Sequence, residues 1–503
     1  MRPFHFVFCA AVLLGTATAS PANEQTESSG PIDIESRREL FVDRLLVERL
    51  ENAQLELHPL VRAKDRRKGL RGQLDYGTVL KDGDLFRWYG RQYTQPGTHG
   101  SLMHTRGFGQ VHLLEITVYA QSKDGVAWEE PELGIHQVEG WPKGNITLAG
   151  EFLVNHNFTP LIDTRPGVPA EQRYKGIGGG KSPPRRWAER VGLFKAPLTW
   201  QYVREKYGPG GLYAYASPDG LHWKKLRQEA IIPVTVFDSN VLNVFDSQNV
   251  AFWSEVEGQY VCYFRLFEKG FRAVARSTSP DFLSWSKPVV MKGRMEKEHF
   301  YTNGTHPYFR APHIYVCPAT RFIPEERGKP KEKSNTRVIL MTTRAGSDTY
   351  DRTFGQEDFL ADPAAGNRTN YIAWTNGAQT GPGELSFYSC VGQRYTLRLD
   401  GFGSIHADKK RGEMVTKPLR FKGKELEMNF ATSAGGKMRV EIQDADGKPL
   451  PGFALDDCEQ MVGDQIERVV TWKNASGVGR LAGKAVRLRV VMQDADLYSI
   501  RFR

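Results

Sequence analysis

Cysteine is scarce: five residues in 503, too few and too widely spread for a disulfide scaffold, a zinc cluster or a redox motif. Long apolar runs are missing as well. No stretch of about 18 apolar residues occurs, which excludes a membrane-spanning helix. No extended 3.6-residue periodicity marks a long amphipathic helix. The chain has no H-E-x-x-H and no nucleophile elbow, and Gly176-Ile-Gly178-Gly-Gly180 lacks the strand–helix setting of a phosphate-binding loop. What it has in quantity is glycine (50), proline (28) and aromatic side chains (27 Phe, 19 Tyr, 10 Trp). That composition suits turn-rich β structure and excludes disorder. The length exceeds the roughly 250–300 residues that one core supports, so two domains are expected.

Residues 1–19 read as a secretory leader. Arg2 gives the positive end, residues 6–14 the apolar stretch, and Ala17-Thr18-Ala19 the small-residue signal before Ser20. The mature protein is therefore expected in a periplasm or outside the cell. The remaining thiols, Cys262, Cys317, Cys390 and Cys458, read as buried free cysteines, although that compartment would permit a disulfide. Net charge is +10, partly in the basic clusters at 62–68 and 327–333. Such a surplus favours anionic partners such as sulfated or uronate-rich glycans by long-range attraction. Nucleic acid is not expected, because no binding module is recognisable.

A repeat organises the chain. Ser122-Lys-Asp124-Gly-Val-Ala-Trp128, Ser217-Pro-Asp219-Gly-Leu-His-Trp223 and Ser279-Pro-Asp281-Phe-Leu-Ser-Trp285 share the form S-x-D-x-x-x-W. Each follows an alternating strand and precedes a short extended segment. The Asp can fold back on its own backbone as an Asx turn, Gly supplies positive φ, and Trp covers the turn. Further strand pairs occur at 78–93, 158–178, 249–265, 313–342 and 370–391, the first around the hairpin signal Lys81-Asp82-Gly83-Asp84. The expected architecture is all-β, a five-bladed β-propeller followed by a C-terminal β-sandwich. Residues 20–69 form an N-terminal extension with strand packing on the propeller, 70–402 the propeller, and 403–503 the sandwich. In the last segment, turns at Asp446-Gly447 and Gly435-Gly436 are expected to separate alternating strands.

Polar residues gather where the first strand of each blade should begin. They include Asn157 and Asp163, Asp246 and Asn249, the run from Glu298 to His313, Asp351 with Arg352, and Glu384. Strands seldom carry so many acids, amides and imidazoles unless they face a wet cavity. Cleaving a glycosidic bond needs two carboxyl groups across it, with other side chains reading the sugar hydroxyls. On that logic Asp246 is the candidate base or nucleophile, Asp163 its helper, and Glu384 or Glu298 the acid. Asn157, Asn249, Tyr301, His306, Arg310, His313, Asp351 and Arg352 are candidates for substrate binding. Each residue has a plainer reading too, such as an Asx cap for Asp246, an ordinary turn for Asp163, and a surface salt bridge for Asp351 with Arg352. No metal ligand set and no cofactor are expected, and the sequence leaves a structural calcium open.

The phrases LFVDRLLVE, NFTPLIDT, RYKGIGG, YASPDGLHWKKL, FDSQNVAFW, YTNGTHPYFRAPHIYV, YDRTF and GELSFY carry a resemblance. The chain resembles the five-bladed propeller glycoside hydrolases of the invertase-like family 32 and arabinanase-like family 43 groups. Within them it is most similar to a divergent exported branch of planctomycete-type bacteria. The resemblance implies a propeller plus sandwich acting on carbohydrate with three channel acids. The W-x-N-D-P-N-G, R-D-P and E-C phrases of the invertase-like group are absent. Arg310-Ala-Pro-His313-Ile-Tyr stands in the context of the arabinanase-like E-G-P-H-I-Y, with Arg replacing the acid. Proton donation then comes from another residue or does not occur. A related propeller family, the anhydrogalactosidases of agar breakdown, uses histidine there, which makes His306 or His313 a candidate by analogy. The expected activity is release of terminal sugars from plant or algal polysaccharides. A non-catalytic glycan-binding propeller and a polysaccharide lyase remain as alternatives.

Overall fold

The computed structural model describes residues 30–66, 75–93, 115–138, 141, 144–151, 153–181, 200–237, 244–324, 336–360, 372–389, 393–473 and 477–503. The leader, Cys390 and the basic cluster at 327–333 lie outside the described residues. Among the described residues, Cys262, Cys317 and Cys458 are buried free thiols. Burial pushes their pKa up and leaves them unreactive. No described helix is long and apolar enough to cross a membrane.

Five antiparallel sheets stand around a common axis. Their inner strands are Asp75–Asp82, Thr159–Ile162, Val250–Ser254, the interrupted pair His299–Thr302 and His306–Tyr308, and Ile372–Gly381. Each inner strand packs on the next, and the last packs on the first, so the ring is closed. The segment 298–313 is thus more than a lead-in to blade 4. It supplies the inner strand itself, broken at Asn303-Gly304-Thr305. Blade 5 takes its outermost strand from far upstream, where Val61–Arg66 pairs antiparallel with Gln393–Arg398.

The repeated turn has one geometry in all three copies. In blade 1 the Asp124 Oδ1 accepts the N–H groups of Val126 and Ala127 at 2.7 and 2.8 Å. In blade 2 Asp219 accepts Leu221 and His222 at 2.8 and 2.9 Å, and in blade 3 Asp281 accepts Leu283 and Ser284 at 2.8 and 2.7 Å. The next residue takes positive φ each time: Gly125 (75°), Gly220 (76°) and Phe282 (71°). Each turn docks on the preceding blade. Trp128 lies edge-on to Trp88 and to Tyr388 of blade 5, whose hydroxyl donates to Gly125 O at 2.8 Å. Trp223 packs on Tyr89 of blade 1 and donates to Thr147 Oγ1 at 2.7 Å. Phe282 lies beneath Lys175 of blade 2.

The C-terminal region is an antiparallel sheet dominated by two long strands, Leu426–Gln443 and Arg487–Phe502, which bend over a core including Met428, Phe430, Val440, Leu488 and Ile500. Gly435-Gly436 does not end a strand. It sits in a bulge between Thr432 and Lys437, inside one continuous element. The sequence pattern reads as two strands because the bulge breaks the alternation. A side chain at Gly436 would meet Asp494 O at 2.3 Å. Asp446-Gly447 does form a turn, with Asp444 Oδ1 accepting Asp446 N and Lys448 N. Strands from residues 30–66 enter both regions: Arg38–Leu40 pairs with Arg487–Phe502, and Gln54–Leu57 with Gly403–Ala407.

Buried charge welds the two regions. Fully buried Asp400 accepts Tyr308 Oη at 2.7 Å, Arg310 Nε at 3.0 Å, Ser499 Oγ at 2.8 Å and Asn429 Nδ2 at 3.1 Å, and Arg38 pairs with it at 3.4 Å. Nearby, Glu39 accepts His313 Nε2 and Arg344 Nη1, both at 2.8 Å. Burial raises the Glu39 pKa, but Arg344 and His313 outweigh it and bring the carboxyl down to about 2. A carboxyl lowered on folding contributes stability above its unfolded pKa of 4.5 and loses it as pH falls toward 2. Glu39→Gln is therefore expected to cost on the order of 3 kcal/mol at pH 7. The gap to wild type should close on acidification, as followed by urea unfolding between neutral and acidic pH.

Candidate functional site

The five inner strands begin at one mouth of the channel and end at the other. Gln248, at the start of blade 3, donates to Thr78 Oγ1 of blade 1 and Thr159 Oγ1 of blade 2, both at 3.1 Å. This contact fixes three strand starts in one layer.

Asp246 stands on that rim. It follows Phe245, a bulky residue at φ 67°, a conformation that costs energy and needs support. The support is visible. Phe245 packs against Phe264 and Phe237, and its carbonyl accepts Ser247 N at 2.8 Å. The same carbonyl accepts Asn157 Nδ2 and Asn249 Nδ2, each at 3.2 Å. The two asparagines thus brace the turn that presents Asp246. The Asp246 side chain is 41% exposed, and Arg265 Nη2 meets its carboxylate at 2.8 Å. Arg265 Nη1 also donates to Tyr301 O at 3.2 Å, and its guanidinium lies 5.3 Å from the Tyr301 ring centre. Arg272 lies 5.2 Å from the same ring.

Blade 1 completes the rim. Tyr76, at φ 47°, carries the Arg91 guanidinium 4.8 Å from its ring, and Arg91 pairs with buried Glu115 at 3.5 Å. Burial, then the Tyr301 hydroxyl, raise the Tyr76 pKa well above the ordinary phenol value, while Arg91 opposes them; Asp246 and Arg265 also act on it. The mouth therefore gathers Tyr76, Arg91, Glu115, Asp246, Arg265, Arg272 and Tyr301. Asp75 opens the blade 1 inner strand, so an acidic residue precedes or follows a strained non-glycine residue at two strand starts. Sequence reading passed over Asp75, although its place before the alternating run GTVLKD marks a strand entrance. Arg265 and Arg272 were passed over too, because their strands look like ordinary half-buried ones.

The other expected catalytic residues are not brought to Asp246. Asp163 follows the far end of the blade 2 inner strand. It pairs with Lys175 and accepts Tyr260 Oη at 2.7 Å and Arg165 N at 3.0 Å. Asp82 makes the corresponding bond to Tyr174 at the blade 1–2 seam, so Asp163 is one copy of a repeated acid–tyrosine link between blades. Glu384 also lies at the far end, where Arg394 meets it at 2.7 Å and Thr380 donates at 2.9 Å. Glu298 precedes the blade 4 inner strand, but Arg352 holds its carboxylate in a two-pronged pair at 2.8 and 3.0 Å.

Among the expected binding residues, Asn157, Asn249 and Tyr301 are at the mouth. Arg310 and His313 belong to the weld between propeller and C-terminal sheet. Asp351 accepts Thr353 N at 2.8 Å at the edge of blade 4, and burial raises its pKa. His306 lines a cavity of about 760 Å³ at the far end of the channel, with Phe252, Trp253, Phe309 and Gln379. Its Nδ1 bonds Gly304 O at 2.9 Å, and burial brings its pKa down to about 4, so the ring is neutral at pH 7. Among the described residues no cluster of His, Cys, Asp or Glu could hold a metal ion.

If Glu298 and Arg352 serve packing alone, a double-mutant cycle with Glu298→Gln and Arg352→Met should give a coupling of about 1–3 kcal/mol by urea unfolding. The double variant should lose less stability than the two single losses added together, since each single variant leaves a buried charge without its partner.

No family model matches the chain, and no curated protein does. Solved structures similar to it include the GH32 beta-fructofuranosidase of Bombyx mori, at TM-score 0.39 and 10% identity over 89% of this chain and 94% of that one. A family 43 arabinoxylan arabinofuranohydrolase from Bacillus subtilis gives TM-score 0.35 and 12% identity over 86% and 95%. A family 117 glycoside hydrolase from Zobellia galactanivorans gives TM-score 0.33 and 13% identity over 59% and 74%.

Proposed function

We propose that the protein is a glycoside hydrolase whose reaction centre is the channel mouth at the starts of the inner strands. The observation behind this reading is the presentation of Asp246. A water-reached carboxylate is held by Arg265 on a strained, braced turn, beside the rings of Tyr76 and Tyr301. Aromatic faces of that kind suit the C–H face of a sugar ring. In this reading Asp246 attacks the anomeric carbon or activates the water that does so. The second carboxyl that the reaction needs is assigned to Asp75, by its place first in the blade 1 inner strand, which Gln248 ties to the start of blade 3 through Thr78. Asn157 and Asn249 position Asp246 through Phe245, and Arg265 orients its carboxylate. The product is a terminal sugar released from a polysaccharide or oligosaccharide outside the cytoplasm, in keeping with the leader read at residues 1–19.

Glycan binding without cleavage is the second reading. It is favoured by the engagement of Asp163, Glu298 and Glu384 with Lys175, Arg352 and Arg394, which leaves fewer acids for chemistry.

One assay separates the two. Asp246→Asn and Asp75→Asn, each checked for an unchanged thermal unfolding curve, are expected to lower the release of reducing ends from plant and algal oligosaccharides by about 10²- to 10⁴-fold. Unchanged turnover in both removes the assignment. Retention of wild type on a glycan affinity gel with no new reducing ends supports the binding reading instead.

A further inference from the structure

Two arginines of blade 3 hold more positive charge at the mouth than the described acids balance. They sit on adjacent strands, Arg265 in Gln259–Glu268 and Arg272 in Phe271–Ser279, with Arg272 directly opposite Phe267. Both guanidinium groups lie over the same two rings. Arg265 is 5.3 Å from the Tyr301 centre and 5.9 Å from Phe267; Arg272 is 5.2 and 4.9 Å from them. Phe322 lies under Arg272 as well, at 4.8 Å. Aromatic faces accept a cation but offer its N–H groups no acceptor.

The acids do not make up the difference. Asp246 meets Arg265, and Glu115 meets Arg91. Among the described residues no carboxylate lies within ion-pair distance of Arg272. Its contacts there are to His299 Nδ1, which accepts the Arg272 backbone N–H at 3.2 Å and faces its Nη1 at 3.4 Å. The Nε groups of Arg265 and Arg272 are buried without an acceptor. Burial and the neighbouring Arg265 charge press the Arg272 pKa down. Two like charges side by side in a half-buried setting repel strongly, and an oxyanion between them relieves that repulsion. The flat guanidinium edge matches the oxygens of a carboxylate or sulfate.

We infer that the mouth selects a sugar carrying an oxyanion, a uronate carboxylate or a sulfate ester, through Arg272 acting with Arg265. The inference rests on the glycan-site reading above and narrows it. Arg265 serves both roles, holding Asp246 with one nitrogen. Arg272, which touches no described acid, supplies the specificity.

The test uses the full-length protein, wild type and Asp246→Asn, with three probes: oligogalacturonides, sulfated galactan oligosaccharides and neutral galacto-oligosaccharides. Calorimetry at low salt should show at least about tenfold tighter binding of one anionic probe than of the neutral one, with the gap narrowing as salt rises. Whichever anionic probe wins tells carboxylate from sulfate. Arg272→Met should bring the ratio close to one, and Arg272→Lys, which keeps the charge but not the fork, should leave an intermediate ratio. Equal affinity for all three probes overturns the inference. So does a ratio that survives in Arg272→Met while its thermal unfolding matches wild type. Cleavage confined to the neutral probe keeps the hydrolase reading and removes this one. Anionic binding without cleavage by wild type keeps this one and removes the hydrolase.

Discussion

The seam between one blade and the next depends on a turn of seven residues. Asp124, Asp219 and Asp281 each satisfy two backbone N–H groups that the turn leaves without a strand partner. That lets the third strand of the blade reverse tightly and press its corner against the blade before it. Aromatic contacts across the seam are worth roughly 0.5–1.5 kcal/mol each beyond their buried area, and the Asp–Tyr links at Asp82 and Asp163 add polar contacts nearby. A closed ring multiplies such terms, because every blade has two neighbours. Only with the ring closed do the strand starts meet, and only then does Gln248 reach both Thr78 and Thr159.

Local order was legible and global placement was not. The S-x-D-x-x-x-W turns could be read from the chain because Asx geometry involves residues two and three apart. Hairpins such as 81–84 were readable for the same reason. The acids were harder. Asp163 and Asp246 look alike as polar residues beside apolar runs, yet one ends an inner strand and the other begins one. They therefore stand at opposite ends of the channel. Nothing within a few residues of Glu298 shows that Arg352, across the blade, will neutralise it. Arg310 and His313 sit in a suggestive phrase, but their partners Asp400 and Glu39 are remote in sequence. Arg265 and Arg272 were hidden for a different reason. In strands with one wet face an occasional arginine is ordinary, and only the shared rings of Tyr301 and Phe267 set these two apart.

The two ends of the channel differ in chemistry. The starting rim carries charge held on strained backbone, at Tyr76 and Phe245, where conformational cost is met by packing and by asparagine hydrogen bonds. The far end holds a cavity with aromatic walls and a histidine kept neutral by burial, and its charged residues, Lys81, Asp82 and Glu255 on the lining and the ion-paired Asp163 and Glu384 nearby, stand on unstrained backbone. A ligand at the first meets polar groups braced on strained backbone, and one at the second meets aromatic faces beside acids already engaged by cations. This asymmetry, rather than the number of titratable groups, is what the proposed site rests on.

Blade 5 borrows its outermost strand from residues 61–66, and the C-terminal sheet borrows Arg38–Leu40 and Gln54–Leu57. Neither module can be completed from one contiguous stretch. During synthesis the early strands wait, edges open, until partners more than 300 residues later have emerged. Such distant pairing slows folding and prolongs exposure to aggregation. In a chain built this way neither module closes until both ends are present at once.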